Sequence, residues 1–354
     1  MIQSLLGKIL MSPFSLLYGL SVGIRNVLYE SELVKSSRFS LPVISVGNLS
    51  IGGAGKTPHI EYLIRLLSPY INVSTLSRGY KRKTKGFRFV RPADNVLDVG
   101  DEPLMYSRKH RGVVVAVAES RAIAIPQIVA QYPNLQAVLL DDAFQHRSVK
   151  PDLNILLTTY DEPFTRDYLL PSGRLREWRS AYTRADIIIV SKCPPDLTAE
   201  EKTSMTKEIN PKPHQKLFFS YYEYGYPYNF YNPTKRIKLD KDLDVILISA
   251  IANTSYLLSY LDEEVKDIHH MNYADHHLFS DVDIDYINTV FTHRHAERKL
   301  ILTTEKDAMR LDLHRKKLRE LNIPIYVLPM QVKFHDDQEQ FDHHIKDFLL
   351  KYKS

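Results

Sequence analysis

Val46-Gly47-Asn48-Leu49-Ser50-Ile51-Gly52-Gly53-Ala54-Gly55-Lys56-Thr57-Pro58 is the stretch whose reading decides the fold. An apolar run of β character, Leu41 to Val46, leads into it, and Ile60, Leu63, Ile64 and Leu67 follow at helical spacing. Strand, glycine-rich turn, Gly-Lys-Thr and helix make a phosphate cradle. The backbone from Ser50 through Ile51, Gly52, Gly53, Ala54 and Gly55 turns its N–H groups inward, and the helix N-terminus adds its dipole. Lys56 then reaches the outer phosphates and the Thr57 hydroxyl is placed for Mg²⁺. The usual opening glycine of the motif is Ser50 here, and Gly52 and Gly53 leave the backbone room to wrap.

Outward from the loop, β-type runs at Pro42–Gly47, Asn72–Leu76, Gly112–Ala118, Ala137–Leu140, Asn154–Leu157 and Asp186–Val190 alternate with helical patterns such as Arg121–Gln131. That alternation predicts an α/β fold, a P-loop-type parallel sheet flanked by helices. Around Lys216 the texture changes to a tyrosine-rich segment, Phe218 to Tyr231, followed by an extended run at Arg236–Leu239. We read this as a two-stranded ribbon joining a second, smaller α/β domain with runs at Asp244–Ser249, Lys299–Thr304 and Pro324–Leu328. The expected parts are an N-terminal helix over 1–40, a nucleotide-binding domain over 41–215, a linker over 216–240 and a C-terminal α/β domain over 241–354.

With 354 residues the chain is long enough for two cores, and 44% hydrophobic and 25% charged residues are ordinary for a globular protein. A net charge of +5 argues neither for nor against nucleic acid. Arg78, Lys81, Arg82, Lys83, Lys85, Arg88 and Arg91 nevertheless fall in one segment, which reads as a solvated loop or an anion contact. The single cysteine, Cys193, forms no internal disulfide and fits a reducing cytoplasm. From Ile9 to Ile24 the chain is apolar between Lys8 and Arg25. That run is short for a spanning helix of roughly 20 residues. A helix lying in the membrane interface suits it better, with Phe14, Leu17 and Leu20 toward lipid and the flanking cations at anionic headgroups.

Leu139-Leu140-Asp141-Asp142 is an apolar strand ending in two acids, the arrangement that holds Mg²⁺ beside a phosphate loop. Asp101 in Gly100-Asp101-Glu102-Pro103 reads as a helix cap, and His276 in Asp275-His276-His277 as a base, an orienter, a metal ligand or a surface histidine. Arg176 and Glu177 pair a phosphate-clamping guanidinium with a neighbouring acid.

Together these segments resemble the tetraacyldisaccharide 4′-kinase family, the lipid A 4′-kinases. The resemblance rests on the loop above, Ser77-Arg78-Gly79-Tyr80, Gly-Asp-Glu-Pro at 100–103 and Asp-Asp-Ala-Phe-Gln-His-Arg at 141–147. It continues through Leu-Arg-Glu at 175–177, Asp-His-His at 275–277 and Thr-Glu-Lys-Asp-Ala at 304–308. It implies ATP–Mg²⁺-dependent phosphorylation of the 4′-hydroxyl of a tetraacyl disaccharide 1-phosphate at the cytoplasmic face of the bacterial inner membrane. The implied partners are the lipid disaccharide and an anionic membrane surface, with neither nucleic acid nor an obligate protein partner. By motif, Thr57, Asp141 and Asp142 hold the metal, and Asp101 is the acceptor-activating base with His276 as its partner. Arg176 and Glu177 join the catalytic set, Asn48 the nucleotide loop, and Arg78, Arg121 and His146 the acceptor site. The pattern departs at Ser120, where the family usually carries an acid before the arginine, and at Ala143, where glycine is commoner. The sequence separation of Asp101 and His276 predicts two lobes that close over the cleft, with the ribbon as hinge. A membrane-bound switch or partition-type ATPase is the alternative from another class, and a soluble metabolite kinase a third.

Overall fold

The structure, a computed structural model, describes residues 5–352. The outermost residues of the expected 1–40 and 241–354 parts, 1–4 and 353–354, lie outside that range.

A central strand β1 (Val43–Asn48) is buried along its whole length, as an apolar run in a parallel sheet must be. The strands that follow are β2 (Val73–Ser77), β3 (Arg88–Phe89), β4 (Val114–Val117), β5 (Ala137–Asp141), β6 (Leu153–Thr159), β7 (Ile187–Ser191) and β8 (Lys216–Tyr224). Next come β9 (Tyr228–Asn229), β10 (Asp244–Ser249), β11 (Asp267–Asn272), β12 (Lys299–Thr304), β13 (Ile325–Leu328) and β14 (Met330–Phe334). They form a nine-stranded sheet in the order β14-β8-β7-β6-β1-β5-β2-β4-β3 and a five-stranded sheet in the order β11-β10-β12-β13-β9. Pairing is parallel from β4 through β8 and again from β11 through β13. The strands antiparallel to their neighbours, β3, β9 and β14, lie at sheet edges.

The tyrosine-rich segment differs from its expected role as a free-standing ribbon. Lys216–Tyr224 is a full strand of the nine-stranded sheet, because Phe218, Phe219 and Tyr222 bury on its two faces. The chain leaves this sheet through β8 and β9 and returns antiparallel through β13 and β14, with Gly225 N–H donating to the Pro329 carbonyl at 3.0 Å. A two-stranded crossing therefore exists, but its second strand is 325–334. Arg236, from the run expected to supply it, makes an isolated bridge to Tyr228. The closing helix Gln338–Tyr352 also returns to the first sheet, where Phe341, Ile345 and Leu349 join a core with Tyr62, Phe218 and Phe334.

The N-terminal helix, Leu5–Glu30, is longer than its apolar run, so length and composition alone would let it cross a membrane. Instead one face docks on the protein. Ser15 Oγ donates to the Leu169 carbonyl at 3.1 Å, and Trp178 Nε1 donates to the Gly19 carbonyl at 2.9 Å. Ile9, Leu10, Phe14, Leu16, Leu17, Leu20, Ile24 and Val27 are exposed on the other side. The two flanking cations turn partly back to the protein: Lys8 lies over the Tyr168 ring and Arg25 lies 3.7 Å from Glu177.

Candidate active site

The phosphate loop leaves β1 and enters the helix Lys56–Leu67 through Gly55, whose φ of 85° is left-handed. A side chain there would be strained by that backbone and would strike the Tyr222 hydroxyl, 2.1 Å from the position of a Cβ. Ser50 tolerates its place because it is held by a bridge to Leu175, while its carbonyl accepts from Asn48 Nδ2 at 2.6 Å. Across the loop, Gly53 faces Ala252 of the five-stranded unit, so both sheets contribute to the cleft.

Asn48 organises the floor. Its Oδ1 accepts from Lys56 Nζ at 3.1 Å and from Arg176, and Gln145 Nε2 donates to its carbonyl at 2.8 Å. Asp142 meets the same two cations, with Lys56 at 3.5 Å and Arg176 at 3.0 Å. Burial pulls its carboxyl upward, but Lys56 and Arg176 outweigh that and hold it well below the usual range. Asp141 fares differently. Burial, with Glu102 and Asp142 nearby, pushes its carboxyl up to about 7. One oxygen accepts from Tyr106 at 2.9 Å, while Oδ1 is buried without a hydrogen-bond partner.

The helix Asp101–Lys109 begins after Gly100, whose left-handed φ of 91° packs its backbone tightly on Gly79 and Tyr80. Asp101 is the first residue of the helix and Gly100 holds the cap position, so Asp101 does not cap it; its Oδ1 accepts from the adjacent Glu102 N–H at 2.9 Å. Its other oxygen faces His276 Nδ1 at 2.9 Å and Arg310 at 3.7 Å. Burial raises this carboxyl, but Lys306, His276 and Arg310 together hold it well below the ordinary range. His276 comes from the loop after β11, at a φ of 55°, with its N–H donating to the Ala250 carbonyl and its ring edge-on to Tyr80. The two residues, 175 positions apart in the chain, are thus already in contact. Lys81 Nζ donates to the carbonyls of Asp275 and His276, tying the basic segment to this loop.

Thr57 Oγ1 donates to Glu102 Oε1 at 2.7 Å, and Lys306 Nζ donates to the same oxygen at 2.8 Å. Arg121 is buried, with its guanidinium against the carbonyls of Ala118, Glu119 and Asp141, and burial lowers its value to about 10. Burial, with Arg121 close by, lowers His146 to about 4, so this imidazole is neutral. Arg78 is exposed and close enough to lower both groups. Glu119, one residue before Ser120, pairs with Arg82, so that cation of the basic segment serves the fold.

Glu177 does not join the cluster. Fully buried, it turns away from Arg176 and binds Arg184 at 2.9 Å, Asn26 at 2.8 Å and Arg25. It is a positioning residue, holding the N-terminal helix while Tyr18 OH donates to the Arg176 carbonyl at 2.9 Å. The sequence alone assigns no role to Tyr106, Gln145, Lys306 or Arg310, although Gln145 and Lys306 stand inside the motifs quoted above. Arg310 gave no signal, although it lies one helical turn past Asp307, which it binds.

The donor set fits a hard divalent cation: a hydroxyl, an unpaired buried carboxylate oxygen and a second carboxylate beside a phosphate loop. Among the described residues no three His, Cys, Asp or Glu side chains form a metal cage. The phosphates of a nucleotide would therefore have to complete the coordination shell.

The family model described as tetraacyldisaccharide-1-P 4′-kinase matches residues 7–350. A Bacteroides thetaiotaomicron protein named tetraacyldisaccharide 4′-kinase is 42% identical over 350 residues, covering 95% of this chain and 92% of that protein. A Flavobacterium johnsoniae protein of the same name is 41% identical over 349 residues, covering 98% of each. Among solved structures, "apo" form LpxK from Aquifex aeolicus in complex with ATP matches with a TM-score of 0.72 at 27% identity. That match covers 97% of this chain and 99% of the other.

Proposed function

This chain belongs to the tetraacyldisaccharide-1-P 4′-kinase family, and we propose that it transfers the γ-phosphoryl group of ATP to the 4′-hydroxyl of a tetraacyl disaccharide 1-phosphate. The observation that carries the reading is the Asp101–His276 contact beside Thr57, a carboxylate–imidazole couple facing a phosphate loop across two sheets. A nucleotide switch has no use for an acceptor base, so the family and this couple together favour the kinase.

Phosphoryl transfer asks for positioning and charge neutralisation more than for covalent help. Asp101 takes the proton from the sugar hydroxyl as its oxygen bonds to phosphorus, and His276 shares the resulting charge and fixes the carboxylate. Held well below the usual carboxylate range by Lys306, His276 and Arg310, Asp101 is already deprotonated when the hydroxyl arrives. Lys56 neutralises the outer phosphates, and Arg176 stands beside it on Asn48 and Asp142. Thr57 and Asp141 would hold Mg²⁺, with Asp142 orienting Lys56 and Arg176. Bound there, the ion would screen the phosphate charge. Arg78, Arg121 and His146 supply a cationic, neutral-imidazole rim for the acceptor head group.

The exposed apolar face of the N-terminal helix supports seating at the cytoplasmic surface of the inner membrane, where acyl chains remain in the leaflet and only the sugar enters the cleft. Labelled γ-phosphate transfer to a monophosphorylated glucosamine disaccharide lipid tests the reading. Label in the lipid, dependent on Mg²⁺, is expected. ATP turnover indifferent to the lipid and raised by protein or DNA would overturn it.

A further inference from the structure

Lys306 is the second residue of a short helix, Glu305–Leu311, that follows β12 of the five-stranded sheet. A lysine of a helix on one sheet has no local reason to pair with an acid of the helix Asp101–Lys109 on the other. Yet its ammonium donates to Glu102 Oε1 at 2.8 Å, and that oxygen also receives the Thr57 hydroxyl at 2.7 Å. Only one carboxylate oxygen separates the Lys306 ammonium from the hydroxyl of the Gly-Lys-Thr motif. The side chain is still partly open to the cleft.

Two carboxylates, Glu102 and Asp101, balance its charge, and a lysine drawn out of bulk water toward them is strongly committed to its protonated form. Lys56 and Arg176 meet on Asn48 and Asp142, whereas Lys306 approaches over Thr57 and Glu102.

We propose that Lys306 is a second phosphate-neutralising cation, delivered to the outer phosphates of the nucleotide from the five-stranded unit, and that Glu102 holds its place until those phosphates arrive. The proposal deepens the kinase reading and rests on it. As the bond between the γ-phosphorus and the β,γ-bridging oxygen breaks, a bond forms from phosphorus to the sugar oxygen, whose proton goes to Asp101. The electron pair of the broken bond stays on the departing diphosphate. Lys306 stands on the Thr57 flank, where a second cation would add to the screening of that charge and of the equatorial oxygens. A cation inserted from a separate structural unit also makes transfer conditional on both units being in place, which limits loss of the phosphoryl group to water.

Lys306→Met is the test, read alone and in a Glu102→Gln background. The variant is expected to lower kcat for lipid phosphorylation ~100-fold, to shift the KM for ATP less than about fivefold, and to leave the thermal midpoint near that of the parent. The same ~100-fold loss is expected in the Glu102→Gln background. A loss confined to wild-type Glu102 would mean that Lys306 merely neutralises that acid, and would overturn the proposal. Lys306→Arg is expected to recover at least about tenfold over Met, since it keeps the charge.

Binding of ADP with aluminium fluoride, a mimic of the transferred phosphoryl group, needs no acceptor and separates this proposal from the kinase reading. Lys306→Met is expected to weaken that complex at least about 30-fold while ADP alone binds as before. Equal weakening of both, or of neither, would overturn the proposal. If the wild type failed to phosphorylate the lipid while this selective weakening held, the acceptor assignment would fall and the role of Lys306 would stand.

Discussion

The wall of the cleft built on the nine-stranded sheet holds its functional groups through a continuous stretch of backbone. β1, the loop and the next helix deliver Asn48, Lys56 and Thr57 in one pass, and β5 ends on Asp141 within the same register. The opposite wall contributes His276 from the loop after β11 and Lys306 and Arg310 from the helix Glu305–Leu311, and each reaches the site through an ion pair or a charged hydrogen bond. The first wall is set by local sequence and would keep its shape alone. The second meets the site through its contacts with Asp101 and Glu102.

The sharpest way to break this comparison is to remove the contact the walls share. Asp101→Asn is expected to lower kcat about 10³-fold, since it deletes the proton acceptor, and His276→Ala about 10²-fold, since it removes only the partner. Steady-state phosphoryl transfer at saturating ATP measures both. A His276→Ala loss larger than that of Asp101→Asn would reverse the assignment of base and partner.

A smaller effect is expected from Glu177→Gln, on the side of the first wall that faces the N-terminal helix. It leaves Arg184 and Arg25 facing an amide, and a loss of ~1–2 kcal/mol is expected, about 1–3 °C in Tm for a chain of this size. Turnover in detergent is expected to fall only several-fold. A collapse as deep as that of Asp101→Asn would place Glu177 among the reacting groups after all.

The mildest expectation concerns His59, buried beneath the loop with Nδ1 at 2.7 Å from the Gly55 carbonyl and Nε2 at 3.0 Å from Ser220 Oγ. Burial lowers it from 6.5 to about 4. The unfolded chain therefore takes up this proton first, so the stability it contributes is full above about pH 6.5 and drains as pH falls toward 4. Between pH 7 and 5 the first wall should lose ~1–2 kcal/mol from this group. Urea denaturation at both pH values checks it, and His59→Gln should flatten the difference. A loss unchanged in His59→Gln would assign it to other groups.

How much of this was legible in the sequence follows the same divide. Strands buried on both faces are apolar runs bounded by turn residues, which is why β1, β2 and β4 through β7 were expected where they occur. The second half of the crossing was not, because β14 follows β13 after Pro329 alone, and Met330-Gln331-Val332-Lys333-Phe334 is too short to declare which sheet it joins. β11 carries Asp267 and two histidines, and as an edge strand with mostly unburied residues it shows no apolar run. In the site, Lys56, Thr57, Asp141 and Asp142 came from contiguous motifs with a local mechanism. Tyr106, Lys306 and Arg310 acquire their roles only when distant helices pack. Glu177 shows the limit within a motif. Two adjacent residues of an irregular segment point opposite ways, so the neighbour of a phosphate-side arginine serves a helix instead.

Gly19 has a further consequence. A single methyl there would overlap the Trp178 ring, 2.5 Å from its Cζ2 atom, and Leu169 at 2.6 Å. That missing carbon lets the helix lie flush against the residue two places beyond Arg176. It thereby fixes the angle at which the rest of the molecule leans from any surface the helix rests on, and with it the height of the cleft's mouth. Widening that one position would act as a wedge, tipping the opening without altering any group inside it.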